Sequence, residues 1–420
     1  MNQTIRKRIE DINNGIVPEG YKQTSFGIFP CDWETISLGD LLDFKNGVNA
    51  DKEKYNSGVK MISVMDILTD GPIYYDKIRG QVDIDENTLN TYSVTYGDIL
   101  FQRSSETFED AGKSNVYLDC DKTATYSGFV IRGKKKAEYN PYFLNESLKI
   151  SQVRKQIIRN AAGSQHINVG QESLEKIIVP SALSAEQGKI AEILMKWDEM
   201  VELQEQYIQK LELRKKAIMK KLLTPKDGWK SVKLGDMAEM YAGGTPSTKN
   251  LEYWGGDIPW IQSGLIQNNY IEIKDIDGRI TEKGLKNSST AWIEKDSVLV
   301  AITGATCANI AYLKCKATAN QSVISITTNK INSCFLYFYM QNARNELLAL
   351  QNGSAQGGLT LKYLQNFEIQ YPENQEQEKI SQILFMVDEE ISLQKEKLAK
   401  IKEQRKAMQQ YLLTGVVRVG

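Results

Sequence analysis

The sequence repeats itself, and each half ends in a long heptad pattern. Leu38-Gly39-Asp40 follows Trp33 in the first half, and Leu234-Gly235-Asp236 follows Trp229 in the second, at an offset of 196 residues. A period of this size is too long for a solenoid repeat and suits two units that each consist of a domain and a helix. The sequence therefore predicts two related modules, and the divergence of their inserts indicates that they recognise two different things.

Each heptad pattern predicts one long helix. Spacings of four and three residues alternate from Ile190 to Leu222 and from Ile380 to Leu412, which is the 3.5-residue period of a coiled coil. Neither stretch contains proline, and about 40 residues of helix would be ~60 Å long. The apolar seam residues are Ile190, Leu194, Trp197, Val201, Ile208, Leu211, Ile218 and Leu222 in the first helix and Ile380, Leu384, Val387, Ile391, Leu398, Ile401, Met408 and Leu412 in the second.

The two helices are predicted to pack antiparallel. The chain leaves the first helix after Leu223 and reaches the second near Pro372, and the two ends of a compact domain usually lie close together. A parallel pair in register would oppose Lys215 to Arg405, whereas an antiparallel pair places Arg405 opposite Trp197, where a cation–π contact can form. We therefore expect a rod with approximate twofold symmetry and an insert at each end. The alternative, a coiled coil that merely spaces two unrelated domains, fits the repeated motifs less well.

The two inserts are rich in short β-like runs, such as Lys60–Val64, Asp98–Phe101 and Ser297–Ala301, and in turn residues. The stretches Asn140–Lys149 and Phe335–Leu348 are typical of helices. The predicted fold class is therefore α+β, with two mixed α/β domains, each dominated by a curved sheet, separated by a long antiparallel two-helix coiled coil. The predicted segments are a helical arm at 1–30, insert domains at 31–178 and 226–372, and coiled-coil helices at 179–225 and 373–420.

Composition and charge narrow the class of protein. The chain is 41% hydrophobic and 25% charged, as is ordinary for a soluble globular protein, and it contains no apolar run of membrane-spanning length. Its charged N-terminus does not resemble a signal peptide, so we expect a cytoplasmic protein. The five cysteines form no CxxC pair, which fits reduced thiols. A net charge of −1 counts against indiscriminate nucleic-acid binding but allows a local basic face.

The residues that catalysis or metal binding would need are missing from the sequence. His166 is the only histidine, which nearly excludes a histidine-dependent triad or metal cluster. The stretch Asp110–Ser114 resembles the end of a nucleotide phosphate loop, but Thr107 stands where the upstream glycine is required. Asp257–Trp260 only faintly resembles the Asp-Pro-Pro-Tyr motif of amino-methyltransferases. We expect a chain that is not itself catalytic and binds no metal or cofactor.

Two loops that follow predicted strands carry small and hydroxyl residues. Gln102–Thr107 follows the run that ends at Phe101, and Ile302–Thr306 follows the run that ends at Ala301. Small residues let backbone amides approach a phosphate, and an arginine such as Arg103 can bind a phosphate or a guanine edge. Polar loops at 163–168 and 353–358 lie near the end of each insert, and their glutamines can bond adenine bidentately. An ordinary solvated turn is the alternative interpretation of each loop.

The order of these features resembles that of the specificity subunit of type I restriction–modification systems, over essentially the full chain. Both long helices open with Glu-Gln and close with Leu-Leu-Thr. The motifs that carry the resemblance are Gly20–Thr24, Gly27, Pro30–Trp33 and Leu38–Asp40 in the first copy and Gly243–Ser247, Tyr253–Trp260 and Thr303–Thr306 in the second.

The resemblance implies a function and a set of partners. Each insert would be a target-recognition domain that reads one half of a bipartite, gapped site in double-stranded DNA. The helices would dock two methyltransferase subunits for adenine methylation, and two ATP-dependent motor–nuclease subunits would complete the restriction complex. S-adenosylmethionine, ATP and Mg would be bound by those partners. The alternatives are a non-enzymatic DNA-binding scaffold of another DNA-processing complex, a methyltransferase–specificity fusion and a two-headed protein-binding adaptor.

The resemblance also indicates residues that would contact DNA. In this family the loop after a Gly-Asp-Ile-Leu strand faces DNA, and the second copy departs from that pattern with Lys295-Asp296. The lysines and arginines are candidate phosphate contacts, for which an ordinary exposed cation is the alternative. The candidates are Arg103, Ser104, Ser105, Thr107, Lys52, Lys60, Arg79 and Gln165 in the first copy and Thr245, Ser247, Lys249, Arg279, Lys283, Thr303, Gly304, Ala305, Thr306 and Gln356 in the second.

Overall fold

The computed structural model describes residues 3–351 and 358–419. The chain divides into two compact units: unit 1 comprises Met1–Glu205 and Lys397–Gly420, and unit 2 comprises Gln206–Glu396. Each unit therefore contains one insert and part of each long helix.

Unit 1 contains a mixed set of short strands and helices. In chain order these are α1 (Gln3–Asn13), β1 (Tyr21–Thr24), β2 (Gly27–Pro30), β3 (Glu34–Ser37), α2 (Leu38–Leu41), β4 (Leu42–Asn46), β5 (Tyr55–Ile62), α3 (Val64–Ile67), β6 (Gln81–Val82), α4 (Glu86–Thr91), β7 (Ile99–Gln102), β8 (Ser104–Ser105), β9 (Ser114–Val116), β10 (Thr125–Tyr126), β11 (Val130–Lys135), α5 (Pro141–Ser147), α6 (Ser151–Arg159), β12 (Ile167–Asn168), α7 (Gln171–Glu175), β13 (Ile178–Ser181) and the start of α8 (Ser184–Leu223).

Unit 2 contains a similar succession. After α8 come β14 (Lys230–Lys233), α9 (Leu234–Met237), β15 (Glu239–Ala242), β16 (Trp254–Ile261), β17 (Asn269–Ile271), β18 (Arg279–Ile280), α10 (Glu282–Lys286), β19 (Val298–Ala301), β20 (Ile310–Leu313), β21 (Thr318–Ala319), β22 (Val323–Thr327), α11 (Ser333–Asn342), α12 (Arg344–Gln351), α13 (Leu361–Asn366), β23 (Glu368–Tyr371) and α14 (Asn374–Leu413), which ends in unit 1.

The sheets of the two units have matching topologies. The larger sheet has strand order β4-β11-β7-β9 in unit 1 and β15-β22-β19-β20-β17 in unit 2. A smaller sheet has order β10-β5-β6 in unit 1 and β18-β16-β21 in unit 2, with β5–β10 and β16–β21 parallel. The predicted α+β class with an internal repeat is confirmed.

The repeated Leu-Gly-Asp motif is a single helical turn that joins the start of each insert to its end. Leu38 and Leu234 are fully buried, and their backbone amides donate to the carbonyls of Ile177 and Phe367, respectively. The next residue is glycine in both copies because a Cβ on Gly39 would stand 3.1 Å from the carbonyl oxygen of Glu175 on α7, and a Cβ on Gly235 would stand 3.0 Å from that of Gln365 on α13. The motif therefore closes each insert on itself just before its long helix begins.

The segments of α8 and α14 pack antiparallel in each unit. In unit 1 Asp198 pairs with Arg405 and Glu205 with Lys402, so the numbering rises along one helix as it falls along the other. In unit 2 Lys215 with Asp388 and Glu212 with Lys395 show the same direction. Of the predicted seam residues, those that are at least nine-tenths buried are Ile190, Leu194, Ile208, Leu211, Ile380, Leu384, Ile391, Ile401 and Leu412, and the half-buried ones are Trp197, Val201, Ile218, Leu222, Val387, Leu398 and Met408.

Some predicted details differ from the structure. Arg405 binds the carboxylates of Asp198 and Glu146 rather than the ring of Trp197, because a carboxylate offers a guanidinium charge-assisted hydrogen bonds. The arm at 1–30 is helical only over α1, since Tyr21–Pro30 form the hairpin β1–β2. The helix predicted at Phe335–Leu348 is broken into α11 and α12.

Candidate nucleic-acid interface

The loop that follows β7 in unit 1 is held by backbone hydrogen bonds on both sides. The amide of Arg103 donates to the carbonyl of Phe129 at 3.0 Å, and its own carbonyl accepts from the amide of Val169 at 3.0 Å. Strand β8, formed by Ser104 and Ser105, pairs with β12. The structure thus brings the two predicted polar loops of the first copy together, and exposed Gln165 lies in the turn that leads into β12.

A third loop joins this site from the end of β4. The amide of Gly47 donates to the carbonyl of Val130, and the amide of Val48 donates to the carbonyl of Tyr126. A Cβ on Gly47 would overlap the backbone carbonyl oxygen of Ser127. Glycine is therefore required here for close backbone approach, and the loop after β4 is fixed against the turn that precedes β11.

Unit 2 repeats the backbone hydrogen bonds made by Arg103 and Gly47, although its described residues contain no strand pair equivalent to β8–β12. The amide of Ile302 donates to the carbonyl of Ser322 at 3.0 Å, and its carbonyl accepts from the amide of Leu359 at 3.0 Å. Gly243 donates to the carbonyl of Val323 at 3.0 Å, and a Cβ on Gly243 would again overlap backbone carbonyl oxygens. Ile302 consequently occupies the position that Arg103 has in unit 1, and the hydroxyl-rich run begins at the next residue, Thr303.

Several predicted residues of the first loop shape the loop itself. The hydroxyl of Ser105 is buried and donates to the carbonyl of Thr107, while Ser104 donates to Asn168 at 2.5 Å. The hydroxyl of Thr107 donates to Asp110, and hydrogen bonds from Lys113 and Thr107 hold the pKa of the Asp110 carboxyl below its ordinary value. These side chains give the loop a defined conformation.

The hydroxyl-rich loop of unit 2 is a tight 3-10 turn. Gly304 has a φ of +70°, a conformation that residues with a Cβ rarely adopt. Thr303, Gly304 and Ala305 are exposed and Thr306 is half-buried. On the neighbouring loop Thr245 hydrogen-bonds the Gln321 side chain, and Ser247 is exposed while its carbonyl accepts from Trp254 at 3.2 Å. Gln356 lies outside the described residues.

The predicted cations fall into two groups. Lys60 donates to the carbonyl of Ile78 at 2.7 Å, Arg279 donates to the carbonyl of Gly278 at 2.9 Å, and Lys283 forms an ion pair with Glu252. Each of these three has a structural partner, and the ion pair raises the pKa of Lys283 above its ordinary value. The side chains that remain exposed on the surface are Lys52, Arg79 and Lys249.

Four residues beside these loops were not singled out from the sequence. Asn49 and Phe129 in unit 1 are exposed, the latter by 67%, and in unit 2 Gln321 is exposed and Ser322 half-buried. Asn49 follows β4, whereas Phe129 lies on the turn before β11, and Gln321 and Ser322 lie on the turn before β22. The pairing of β11 with β4 and β7, and of β22 with β15 and β19, brings these residues to the loop after β7 or β19. The one sequence feature that could have indicated these residues is the aromatic Phe129 next to a glycine; its exposure is evident only from the structure.

Buried charges link the long helices to the insert of unit 1. Arg405 donates to Glu146 at 2.6 Å and to Asp198 at 2.8 Å, and the Glu146 side chain is only 1% exposed. Burial opposes the charge on Arg405, but the two carboxylates outweigh it, so the pKa of Arg405 lies above its ordinary value. In unit 2 the residues at the equivalent positions of the repeat, Lys215 and Asp388, pair at 2.6 Å.

Within 3–351 and 358–419, no group of three or more histidine, cysteine, aspartate or glutamate residues is arranged to hold a metal ion. No helix in the described part of the chain combines the length and apolarity needed to cross a membrane.

Comparisons with known proteins agree with this arrangement. The family described as "Type I restriction modification DNA specificity domain" matches residues 30–213 and again 226–403. The chain is 25% identical to the putative type I restriction enzyme MjaX specificity subunit of Methanocaldococcus jannaschii, over 96% of this chain and 97% of that one. It is 35% identical to the MjaIX specificity subunit of the same organism, over 41% of this chain and 40% of that one.

Solved structures share the fold. The type I restriction–modification S subunit from M. genitalium superposes with a TM-score of 0.54 at 18% identity, covering 91% of this chain and 96% of that one. A chain from a study of complex assembly in a type I system superposes with a TM-score of 0.62 at 15% identity, covering 93% and 99%. The chain therefore belongs to the type I restriction–modification specificity subunits and contains two copies of their DNA specificity domain.

Proposed function

We propose that each insert reads one half of a bipartite, gapped site in double-stranded DNA. The observation that carries the proposal is the repeated backbone arrangement of the loops at Arg103 and Ile302, on which the two units display different side chains. Backbone hydrogen bonds position a loop without restricting its side chains, whereas sequence is read by side chains on base edges. Two such loops of unlike chemistry suit an asymmetric site with two different halves.

The long helices would dock two methyltransferase subunits, which would bind S-adenosylmethionine and methylate adenine. In unit 2 Ile383, Met386 and Leu393 are 44%, 66% and 62% exposed and follow one stripe of α14. In unit 1 Leu203, at the position equivalent to Leu393, is 58% exposed. An exposed apolar stripe on a helix marks a surface that another protein covers.

The proposal extends to the rest of the complex. Two motor–nuclease subunits would bind ATP and Mg and cleave unmodified DNA, and this chain would contribute no catalytic group. The complex would work in the cytoplasm, on the DNA of the cell. A DNA-binding scaffold of another DNA-processing complex remains the second candidate, because the loops alone do not identify the enzyme that is recruited.

The test is to sequence N6-methyladenine in the host genome with this gene deleted and then restored. We expect a gapped, two-part methylation motif that disappears and returns with the gene. A methylation pattern that is identical in both strains, although the chain co-purifies with a methyltransferase, would refute the proposal. Failure to co-purify with any methyltransferase would favour the scaffold.

Docking is tested separately with Met386→Glu and Leu393→Glu. Each is expected to abolish co-purification with the methyltransferase, since each places a charge on the exposed stripe. Leu251→Glu is the matched control, because Leu251 is an equally apolar residue, 82% exposed, that lies outside the two long helices. Equal retention of the methyltransferase by all three variants would contradict the assignment of this surface.

A further inference from the structure

The loops at the proposed DNA-reading site can be compared position by position, because their backbone hydrogen bonds coincide in the two units. Gly47 corresponds to Gly243 and Val130 to Val323, through the bond that joins each pair. We call the four residues at these corresponding positions of each site the reading cluster. In unit 1 it comprises Asn49, Arg103, Gly128 and Phe129. In unit 2 it comprises Thr245, Ile302, Gln321 and Ser322.

All four positions of the reading cluster change chemistry, although the first two residues of the strand that follows the turn, β11 or β22, do not. Val130 and Ile131 on β11 correspond to Val323 and Ile324 on β22, and all are buried. The strand residues therefore maintain the fold in both units, whereas the four positions of the reading cluster differ between them.

The differences within the cluster are coupled. In unit 1 the Asn49 amide lies directly over Gly128, since a Cβ on Gly128 would overlap Asn49 Oδ1. In unit 2 a glutamine, Gln321, replaces this glycine and hydrogen-bonds the side chain of Thr245, which replaces the asparagine. The reading cluster of each unit thus presents one primary amide at the turn before β11 or β22. In unit 1 the amide belongs to Asn49 on the neighbouring loop, and in unit 2 it belongs to Gln321 on the turn itself.

The surroundings of the two amides differ. The Arg103 guanidinium donates to the carbonyl of Gly128 at 3.4 Å, so it lies beside the Asn49 amide, and the next residue, Phe129, has an exposed ring. No carboxylate forms an ion pair with Arg103 among the described residues. Around Gln321 the neighbours are the Thr245 hydroxyl and Ser322.

We propose that Asn49 in unit 1 and Gln321 in unit 2 each read one adenine of the target site, and that Arg103 and Phe129 add contacts found only in the first half-site. A primary amide can accept from adenine N6 and donate to adenine N7 at the same time, which distinguishes adenine from the other bases in the major groove. Both amides are exposed on fixed backbone, as this contact requires. The inference rests on the proposed function and assigns its specificity to particular side chains.

The first experiment compares methylation motifs in hosts that carry Asn49→Asp, Gln321→Glu or the control Asn87→Asp, which makes the same change at an exposed residue of α4. A carboxylate keeps the size of the amide but cannot donate to adenine N7. We expect one position of the first half-site to change or relax with Asn49→Asp and one position of the second with Gln321→Glu, while the control keeps the parental motif. A parental motif in all three hosts would overturn the inference. A wild-type host without any two-part motif would instead refute the proposed function.

The second experiment covers the case in which a variant leaves no methylation. The complex of the chain with its methyltransferase is bound to duplexes in which each adenine of the identified motif is replaced in turn by 7-deazaadenine, which lacks the N7 acceptor. Loss of one hydrogen bond should weaken wild-type binding roughly 2- to 10-fold at one adenine of each half-site. Asn49→Ala should bind the parental duplex roughly 5- to 150-fold more weakly and lose sensitivity at the first of these adenines only. Retained sensitivity at that adenine would overturn the assignment of Asn49.

Discussion

Replacing Arg405 by methionine is the sharpest test of how unit 1 is held together. The change removes hydrogen bonds of 2.6 Å to Glu146 and of 2.8 and 3.2 Å to Asp198, but it keeps an apolar stem of similar length. Removing one partner of a buried ion pair usually costs about 3–5 kcal/mol, because the other charge is left without compensation. Glu146 retains Lys149 at 2.5 Å and Gln409 at 2.8 Å. We therefore expect the low end of that range, about 3 kcal/mol.

Two variants serve as controls for this value. Lys215→Met removes the equivalent pair in unit 2, whose side chains are 17% and 12% exposed, and should lower the stability of unit 2 alone. Lys402→Met removes a pair with Glu205 whose side chains are 46% and 37% exposed, for which about 0.2–1 kcal/mol is expected. All three changes remove a cation from the same pair of helices, so the contrast compares buried ion pairs with an exposed one.

The assay must resolve the units, because two compact units can unfold separately. Pulsed hydrogen exchange with mass spectrometry in increasing urea provides this, with peptides from α5 reporting on unit 1 and peptides from α11 on unit 2. The reasoning is refuted if Arg405→Met lowers the free energy of unfolding of unit 1 no more than Lys402→Met does. It is also refuted if the loss appears equally in the peptides of unit 2.

Four other substitutions test further features of unit 1. Burial would raise the pKa of Glu146, but Lys149 and Arg405 outweigh it and hold the pKa below its ordinary value. The carboxylate therefore stabilises unit 1 fully above about pH 4.5 and loses this effect as the pH falls through the lower folded-state pKa. Urea titrations at a series of pH values should show an acid-induced loss of stability that is smaller in Glu146→Gln. Gly47→Ala should destabilise unit 1 by about 1–3 kcal/mol or more, because the new Cβ would overlap a backbone carbonyl oxygen. In the same unfolding assay Gly188→Ala should stabilise unit 1 by about 0.5–1 kcal/mol, because Gly188 lies in α8 with open space around it. Arg103→Ala should weaken DNA binding by roughly 1–3 kcal/mol and relax one position of the first half-site, and unchanged binding with an unchanged motif would reject its role in reading a base.

The long helices were predictable because their signal is local. A seam with a 3.5-residue period needs only the residues of one helix, and the antiparallel direction followed from where the chain leaves Leu223 and reaches Pro372. The partner of Arg405 was not predictable in the same way, because Glu146 lies on α5, far away in sequence, and a heptad pattern contains no information about what packs beside the helix pair.

The candidate site was predictable only in part, for the same physical reason. The loop at Arg103 could be found because a strand-like run precedes it, but Asn49 and Phe129 join it through the pairing of β4 and β7 with β11. Register between distant strands is set by packing of the whole sheet rather than by any local pattern. The loops that carried the resemblance to the family were consequently located, together with Arg103 and Thr245. The residues that sequence reasoning missed are Asn49, Phe129, Gln321 and Ser322.

The way the reading cluster is built explains how the two units can share a fold and differ in what they display. The hydrogen bonds that recur at these loops in both units run from backbone N–H to backbone C=O groups, which any residue other than proline supplies. Side-chain constraints fall on the glycines, Gly47 and Gly243, where backbone approaches too closely for a Cβ. Substitution at Asn49, Arg103 or Phe129 therefore leaves the frame bonded, and the cost of a new side chain is set by its immediate neighbours. The coupled exchange of Asn49 and Gly128 for Thr245 and Gln321 shows the form that such a change takes: because a Cβ on Gly128 would overlap Asn49 Oδ1, the turn can gain a side chain only where the residue at position 49 changes as well.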